Sequence, residues 1–290
     1  MSKILVFGAG AWGNALALVL DRNSHLVTLC STSKERAEDL ARSRVCDAFD
    51  DHLDERVSLP KNIDVLHIDE LDSEDTFDLV VIASSAAQYR VQFLSLLPVK
   101  DVPVLIATKA IDPKTGDLMT TLFRRLTNHT DELIGVISGP NLAEPIAKGK
   151  FAGTVIAFKD QQLQDDVASL FESPNFRVDR SSGRAGVALG KEEKNAIAVI
   201  VGLAEGLGYD KNGVGYVLGK TFAELGLIGE RLGISSASFY GIAGTGDTWT
   251  SASELSRNYK FGYSLAEKGR IERVSEIDHN TVEGIANAHG

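Results

Sequence analysis

The stretch KILVFGAGAWGNALALVL, residues 3–20, decides the fold class of this chain. A short run of β-forming residues leads into Gly8, Gly10 and Gly13, and apolar residues at helical spacing follow. Gly8 permits a tight turn, Gly10 lets the backbone approach a pyrophosphate, and Gly13 allows a helix to pack closely on a strand. The start of the helix adds free N–H groups and a partial positive charge. The stretch therefore predicts a dinucleotide-binding turn; the alternative is a glycine-rich turn without a ligand.

Beyond this turn, short apolar strands keep alternating with helical patterns. The strand candidates include HLVTLC, FDLVVIAS and VPVLIATK, and GTVIAF and FRVDRS are further ones. Such alternation indicates a parallel sheet with crossover helices. Strand signals then end, and long Ala/Leu/Gly helical runs take over. We expect a Rossmann-type, doubly wound, mostly parallel α/β sheet in residues 1–182, which bind the dinucleotide, followed by an all-helical substrate-binding domain in residues 183–290.

Composition narrows the possible partners. The chain has 290 residues, 43% of them hydrophobic, and a formal net charge of -10. This acidic balance argues against nucleic acid or an anionic membrane as the main partner. The two cysteines, Cys30 and Cys46, have no metal-binding spacing and fit a reducing compartment. Because no signal peptide and no window of about 18 apolar residues is present, we expect a cytoplasmic protein without a membrane span or a metal.

The end of the second strand bears on the choice of cofactor. A site that prefers NAD usually has an acidic residue there to hold the ribose hydroxyls. This chain reads CSTSKER, with no acidic residue before Glu35. Lys34 and Arg36 suit a 2′-phosphate better, which favours NADP over NAD. In the alternative interpretation, Ser33 caps an ordinary helix and Arg36 lies on the surface.

The stretch GKEEKNAIAVIV, residues 190–201, allows two interpretations of its charges. In the first, Lys191 to Lys194 form the exposed first turn of a helix with i,i+3 pairing. In the second, Lys194 adjoins a helix that is apolar on every side, and therefore buried all round, next to a cleft between two domains. Composition alone favours the first interpretation, and position favours the second.

Three other segments contain candidate ligand-binding residues. Lys109 directly follows a predicted strand, at the edge where parallel sheets bind ligands. Gly139 and Pro140 force a turn after another strand. Farther along, Asp247 precedes the sequence Ser-Arg-Asn that contains Arg257, whose donors suit a phosphate or a carboxylate. For each segment an ordinary turn, cap or surface residue is the alternative.

Taken together, the motifs resemble those of the soluble NAD(P)-dependent glycerol-3-phosphate dehydrogenases of the bacterial type. They occur in order over almost the whole chain: GAGAWG, ATKAI, SGPNLA, GVALGKEEKN, AEGLGYDKN, GIAGTGD, SRNYKFG and TVEGIAN. The resemblance implies reversible hydride transfer between NAD(P)H and dihydroxyacetone phosphate, giving sn-glycerol 3-phosphate for phospholipid synthesis. It implies a small phosphorylated substrate, and because large helical domains of this kind often pair, we also expect a homodimer.

The resemblance also implies roles for individual residues. Lys194 would be the catalytic proton donor, with Lys109 and Asp247 as its charged companions. The residues expected at the substrate are Lys109, Gly139, Asn141, Asn195, Ser256, Arg257 and Asn258. The residues expected at the cofactor are Gly8, Gly10, Ala11, Trp12, Gly13, Thr32, Lys109, Ala143, Arg257 and Glu283.

Several positions depart from the family pattern. Lys191 and Glu192 stand where small residues are usual, Ala110 replaces a glycine, and Pro145 stands where a glutamate is usual. The family pattern also continues for several helices beyond TVEGIAN. These departures motivate two alternatives: a related two-domain dehydrogenase acting on another hydroxy acid or sugar phosphate, and a dinucleotide-binding regulator that has lost turnover.

Overall fold

A computed structural model describes residues 1–47, 49, 57–72, 74–85, 88–89, 91–108, 110–112, 114–238, 240–254 and 256–268. Lys109 and Glu283, both expected at the site, lie outside the described residues. The chain divides into two compact units. The first consists of Met1–Lys109, Met119–Ile137 and Asn141–Arg184, and the second of Ala110–Leu118, Ser138–Pro140 and Ala185–Gly290.

The first unit is built on one eight-stranded sheet in the order β3-β2-β1-β4-β5-β6-β7-β8. Its strands are β1 (Lys3–Phe7), β2 (Leu26–Ser31), β3 (Asp64–His67), β4 (Leu79–Ile82), β5 (Val104–Ile106), β6 (Ile134–Ser138), β7 (Ala152–Ala157) and β8 (Phe176–Arg180). The β1–β2, β2–β3, β1–β4, β4–β5, β5–β6 and β7–β8 pairs are parallel. The expected Rossmann-type sheet is confirmed, and GTVIAF and FRVDRS contribute its last two strands.

The helices divide between the two units. Those numbered up to α6 are α1 (Ala11–Arg22), α2 (Lys34–Ser43), α3 (Val91–Leu94), α4 (Met119–Thr127), α5 (Ala143–Ala147) and α6 (Gln161–Phe171). They are followed by α7 (Arg184–Gly206), α8 (Lys211–Arg231), α9 (Asp247–Ser251) and α10 (Arg257–Lys268). The expected helical second half is confirmed. No helix in the described part of the chain combines the length and the apolar character needed to cross a membrane.

The strand order places the glycine-rich turn where a ligand is expected. The chain leaves β1 for β2 on one side and later returns to β4 on the other, so the order reverses between β1 and β4. In open parallel sheets, ligands bind beyond the carboxyl ends of the strands at such a reversal. Apolar side chains of α1, including Leu16 and Leu20, share one buried core with Ile4 and Val6 of β1. That core holds the turn between β1 and α1 in place.

Two helices differ from their sequence patterns. Within the described residues of the pattern QYRVQFLSLL, the α-helix is confined to the short α3, and Pro98 disfavours helical backbone at Leu97, the residue before it. Conversely, α7 begins at Arg184, well before the charged run that starts at Lys191. This run is therefore not the first turn of a helix, and the interpretation as an exposed helix start is wrong. The apolar part of α7 is not buried all round either, because Ile200 is 40% exposed.

Candidate active site

Close backbone contacts leave no room for a side chain at two of the three glycines of the glycine-rich turn, Gly8 and Gly13. Gly8 has a φ of 117°, and a Cβ there would lie 2.5 Å from the backbone nitrogen of Ser84. A Cβ on Gly13 would lie 1.7 Å from the carbonyl oxygen of Gly8. Gly10 is different: it is exposed, and its Cβ would meet no atom within 4 Å. The turn thus has open space above Gly10 at a helix N-terminus, which fits a pyrophosphate group.

Asn14 stabilises this turn from the buried side of α1. Its side-chain amide donates to the carbonyl oxygens of Ala9, at 3.1 Å, and Gly10, at 2.9 Å. The backbone N–H of Gly8 donates to the carbonyl of Cys30 at 2.8 Å, which links the turn to the end of β2. Ala11 and Trp12, expected to contact the cofactor, follow as the half-buried first residues of α1.

We expect alanine at Gly13 and at Gly10 to have different effects. Gly13→Ala should lower the free energy of unfolding by about 3 kcal/mol or more, because the new methyl group overlaps fixed backbone. Gly10→Ala should cost less than about 1 kcal/mol, since it alters only the N-cap residue of a helix. It should nevertheless weaken dinucleotide binding. Thermal unfolding and fluorescence titration with NADPH measure the two effects, and equal losses of stability would contradict this account.

At the end of β2, Arg36 reaches towards the glycine-rich turn. Its guanidinium donates to the carbonyl oxygen of Ala9 at 3.2 Å and lies 3.8 Å from the carboxylate of Asp47. The hydroxyl of Ser33 accepts the backbone N–H of Arg36 at 3.3 Å, so Ser33 does cap α2. The two interpretations of this segment are therefore compatible. A capped helix presents Arg36 beside the turn.

The turn after β6 is tied to the sheet through Asn141. Its side-chain amide donates to the carbonyl of Gly153 at 2.9 Å, and the hydroxyl of Thr154 donates to its oxygen at 2.9 Å. Asn141 is buried, and the described hydrogen bonds of its side chain are with β7. Gly139 lies in the same turn with a φ of 156°, and Ala143 begins α5.

In the second unit, Lys194 forms a buried ion pair with Asp247. Their side chains are 6% and 1% exposed, and the Lys194 ammonium donates to Oδ1 of Asp247. Asp247 begins α9 directly after a π-helical turn, Ile242–Gly246. Burial removes both charges from water, which costs free energy unless each charge has a close partner. A buried lysine held by a carboxylate is typical of a functional site, although structural pairs of this kind also occur.

The residue after Lys194 connects this pair to α10. The side-chain amide of Asn258 donates to the side-chain oxygen of Asn195 at 3.1 Å, and both residues are buried. Ser256 caps α10, since its hydroxyl accepts the backbone N–H of Tyr259 at 3.5 Å. Arg257 is the exposed first residue of that helix. The structure thus brings the adjacent residues Lys194 and Asn195 together with Asp247, 53 residues from Lys194, and Asn258, 63 residues from Asn195.

Three residues that contact or adjoin an expected site residue were not singled out from the sequence. The side-chain amide of Gln88 donates to the hydroxyl of Thr32 at 2.6 Å, next to the end of β2. Thr248 follows Asp247 and is only 2% exposed. Glu193 precedes Lys194, and burial raises the pKa of its carboxyl group. Adjacency in the chain could have pointed to Thr248 and Glu193, whereas the contact of Gln88 depends on the sheet order. Among the described residues, no group of His, Cys, Asp and Glu side chains could hold a metal ion.

Family models match the chain on both sides of the start of α7. Residues 3–164 match the model described as the NAD-dependent glycerol-3-phosphate dehydrogenase N-terminus. Residues 184–290 match the model for the C-terminus of the same enzymes. Together the two models account for more than half of the chain.

Individual relatives agree with these matches. The chain is 32% identical over 286 residues to a glycerol-3-phosphate dehydrogenase (NAD(P)+) of Saccharophagus degradans, covering 97% of this chain and 78% of that protein. A relative with the same description from Azotobacter vinelandii is 33% identical over 284 residues, covering 97% and 82%. A crystal structure of glycerol-3-phosphate dehydrogenase from Coxiella burnetii is similar in fold, with a TM-score of 0.85, 23% identity and coverage of 99% and 86%.

Proposed function

The chain belongs to the NAD-dependent glycerol-3-phosphate dehydrogenase family, and we propose that it reversibly reduces dihydroxyacetone phosphate to sn-glycerol 3-phosphate with NAD(P)H. The observation that carries this proposal is the buried Lys194–Asp247 pair, next to the contact of Asn195 with Asn258. The product would serve phospholipid synthesis in the cytoplasm.

Lys194 supplies the proton in this reaction. A bound NAD(P)H would supply the hydride for the carbonyl carbon, and the carbonyl oxygen would then need a proton. The ammonium group of Lys194 donates that proton and takes it back in the reverse direction. Asp247 orients the ammonium group through their ion pair and balances its charge within the buried surroundings.

Arg257, Asn258 and Ser256 bind the phosphate group of the substrate. Arg257 is the first residue of α10, where the guanidinium and the free N–H groups of the helix offer donors to an anion. Because Asn258 contacts Asn195, the phosphate-binding helix start and the proton donor are connected within one unit. Holding the phosphate fixes the orientation of the carbonyl group, which lowers the barrier to reaction.

The remaining expected residues have supporting roles in this proposal. Asn141 holds the turn after β6 through its bonds to β7. In this proposal the backbone of Gly139 would contact the substrate, as would Lys109, which lies outside the described residues. The residues that would hold the dinucleotide are Gly8, Gly10, Ala11, Trp12, Gly13, Thr32, Lys109, Ala143, Arg257 and Glu283. We propose residues 1–182 as the dinucleotide-binding domain and residues 183–290 as the substrate-binding domain, although the short segments Ala110–Leu118 and Ser138–Pro140 belong to the second compact unit.

Arg36 supports a preference for NADP over NAD. No carboxylate lies within residues 31–33 to accept ribose hydroxyls, and Arg36 already stands at the turn. Arg36→Ala should lower kcat/KM with NADPH about tenfold, since hydrogen bonds to charged groups contribute about 1.5–3 kcal/mol. The value with NADH should stay within about twofold. Arg42→Ala, on the same helix but paired with Asp39, is the control. An equal loss with both cofactors would contradict the assignment.

The proposed activity is tested with the full chain, dihydroxyacetone phosphate and either NADPH or NADH. Absorbance at the reduced-nicotinamide band should fall only when substrate is present. A panel of phosphorylated and carboxylated ketones serves as the comparison. A clear preference for a non-phosphorylated acid would favour the related dehydrogenase, and dinucleotide binding without any turnover would favour the regulator. We propose a homodimer as well, which a solution mass of one chain would contradict.

A further inference from the structure

A second polar cluster lies one residue beyond the proposed phosphate-binding residues. The carboxylate of Glu205, near the end of α7, accepts a hydrogen bond from the hydroxyl of Tyr259 in α10. It also accepts the ammonium group of Lys211, the first residue of α8, at 2.5 Å. One carboxylate therefore joins three helices. The Lys211 ammonium and the Tyr259 hydroxyl lower the pKa of Glu205. The same carboxylate raises the pKa of Tyr259 to about 12, so Tyr259 is a protonated donor near neutral pH.

The backbones of α7 and α10 approach each other closely beside this cluster. A Cβ on Gly202 would lie 2.1 Å from the carbonyl oxygen of Tyr259. In the other direction, a Cβ on Gly262 would lie 2.0 Å from the carbonyl oxygen of Val199. These contacts restrict the separation of the two helices but act on the backbone alone. Two side-chain hydrogen bonds also tie the first turn of α10 to α7: that of Asn258 with Asn195 and that of the Tyr259 hydroxyl with Glu205.

The Tyr259 ring is buried, at 6% exposed, and packs in one hydrophobic cluster with Ile197, Val201 and Leu225. The ring borders a cavity of ≈ 670 Å³, whose walls include Val201, Val214, Leu218 and Trp249. Packing therefore holds the body of the ring, and the hydrogen bond to Glu205 fixes its hydroxyl end. Tyr259 directly follows Asn258, which contacts Asn195. Displacement of Tyr259 would therefore move Arg257 and Asn258 relative to Lys194.

We propose that Glu205 and Tyr259 are positioning residues that set the place of Arg257 and Asn258 relative to Lys194. Neither residue touches the substrate. They act through the start of α10, which they anchor to α7. The inference rests on the proposed function, because it assumes that Arg257 and Asn258 bind the phosphate of the substrate.

The test compares Tyr259→Phe with the unaltered full chain. We expect the KM for dihydroxyacetone phosphate to rise about threefold to tenfold, the size of one net hydrogen bond. The kcat should stay within about twofold, because Lys194 and Asp247 keep their ion pair. The KM for NADPH should rise less than the KM for the substrate, because Arg257 is one of ten residues expected at the dinucleotide. Glu205→Ala should reproduce this pattern, and Glu205→Gln, which keeps an acceptor, should show a smaller rise. Combining Tyr259→Phe with Glu205→Ala should add little, since both remove the same contact.

Two variants serve as matched controls. Tyr263→Phe removes a hydroxyl from the next turn of α10, where the side chain is 40% exposed. Lys211→Met removes the second donor to Glu205; the side chain of Lys211 is 91% exposed. Both should leave the KM for the substrate unchanged. If Tyr259→Phe lowers only the melting temperature, or raises the KM values of substrate and cofactor alike, the positioning role is overturned.

Binding measurements separate this inference from the proposed function. Calorimetry with sn-glycerol 3-phosphate reports the affinity of the second unit's residues without turnover. If the unaltered chain binds this ligand but turns over nothing, the proposed activity fails, and the affinity of Tyr259→Phe still decides the positioning role. If the unaltered chain neither binds nor turns over, both are refuted. If it is active and Tyr259→Phe matches it in KM and in affinity, only the positioning role fails.

Discussion

Lys194→Ala is expected to lower kcat for reduction of dihydroxyacetone phosphate at least about a hundredfold, the usual contribution of a general acid. The alkoxide formed by hydride arrival then has no adjacent donor and depends on water. The KM values for substrate and cofactor should change far less, because Arg257 and the glycine-rich turn are untouched. Steady-state kinetics with NADPH, at several substrate concentrations, measures both quantities.

The same substitution leaves the Asp247 carboxylate buried without Lys194. Removing one member of a buried ion pair costs about 3–5 kcal/mol, so Lys194→Ala could lose activity simply by unfolding. The double variant Lys194→Ala/Asp247→Asn removes both charges and should regain stability without regaining turnover. Lys194→Arg keeps a cation beside Asp247, but a guanidinium does not give up its proton, so this variant should fold and remain slow.

Added primary amines provide a direct test of the chemical role. Lys194→Ala opens space beside Asp247 for a small alkylammonium ion, which should restore part of the rate in proportion to its concentration. The double variant lacks the carboxylate and should respond much less. Turnover within tenfold of the unaltered chain in both Lys194→Ala and Lys194→Arg would refute the assignment of Lys194 as proton donor.

The first unit was largely predictable because its signals are local. The glycine-rich turn, the alternation of strands and helices, and the cap at Ser33 each depend on residues close in the chain. The same reasoning misjudged the start of α7, since the residues from Arg184 to Gly190 have no strong capping signal and the charges at Lys191 drew attention instead. Local patterns also could not show that Ile200 stays exposed, because burial depends on which elements pack against α7.

The sequence predicted the residues around Lys194 but not the contacts between their side chains. The motifs pointed to Lys194, Asp247 and Asn258, yet the pairing of Asn195 with Asn258 joins positions 63 residues apart. That contact depends on how closely α7 and α10 approach, which the small residues Gly202 and Gly262 allow. Glycines within a helical pattern are ambiguous in sequence, since they weaken a helix and permit close packing. The motif SRNYKFG likewise could not indicate the proposed role of Tyr259, because its partner Glu205 lies 54 residues away in the chain.

Arg257→Gln is expected to lower kcat/KM for dihydroxyacetone phosphate about tenfold to a hundredfold, since hydrogen bonds to charged groups contribute about 1.5–3 kcal/mol. Most of the change should appear in KM, because we propose that Arg257 binds the phosphate and not the reacting carbonyl. The side chain is exposed at the start of α10, so the free energy of unfolding should change by less than about 0.5 kcal/mol. Arg257→Lys keeps the positive charge but loses the bidentate geometry of the guanidinium. Its kcat/KM should therefore lie between those of the unaltered chain and Arg257→Gln.

Unphosphorylated dihydroxyacetone separates phosphate binding from every other effect of Arg257. This poorer substrate has no phosphate to lose, so its kcat/KM at saturating NADPH should be the same in the unaltered chain and in Arg257→Gln. The ratio of kcat/KM for dihydroxyacetone phosphate to kcat/KM for dihydroxyacetone should therefore fall in Arg257→Gln. Arg231→Gln, at an exposed position near the end of α8, controls for the loss of one positive charge from the helical unit. If Arg257→Gln slows both substrates equally, Arg257 shapes the helix start or contacts the cofactor instead, and the phosphate must be bound by other residues.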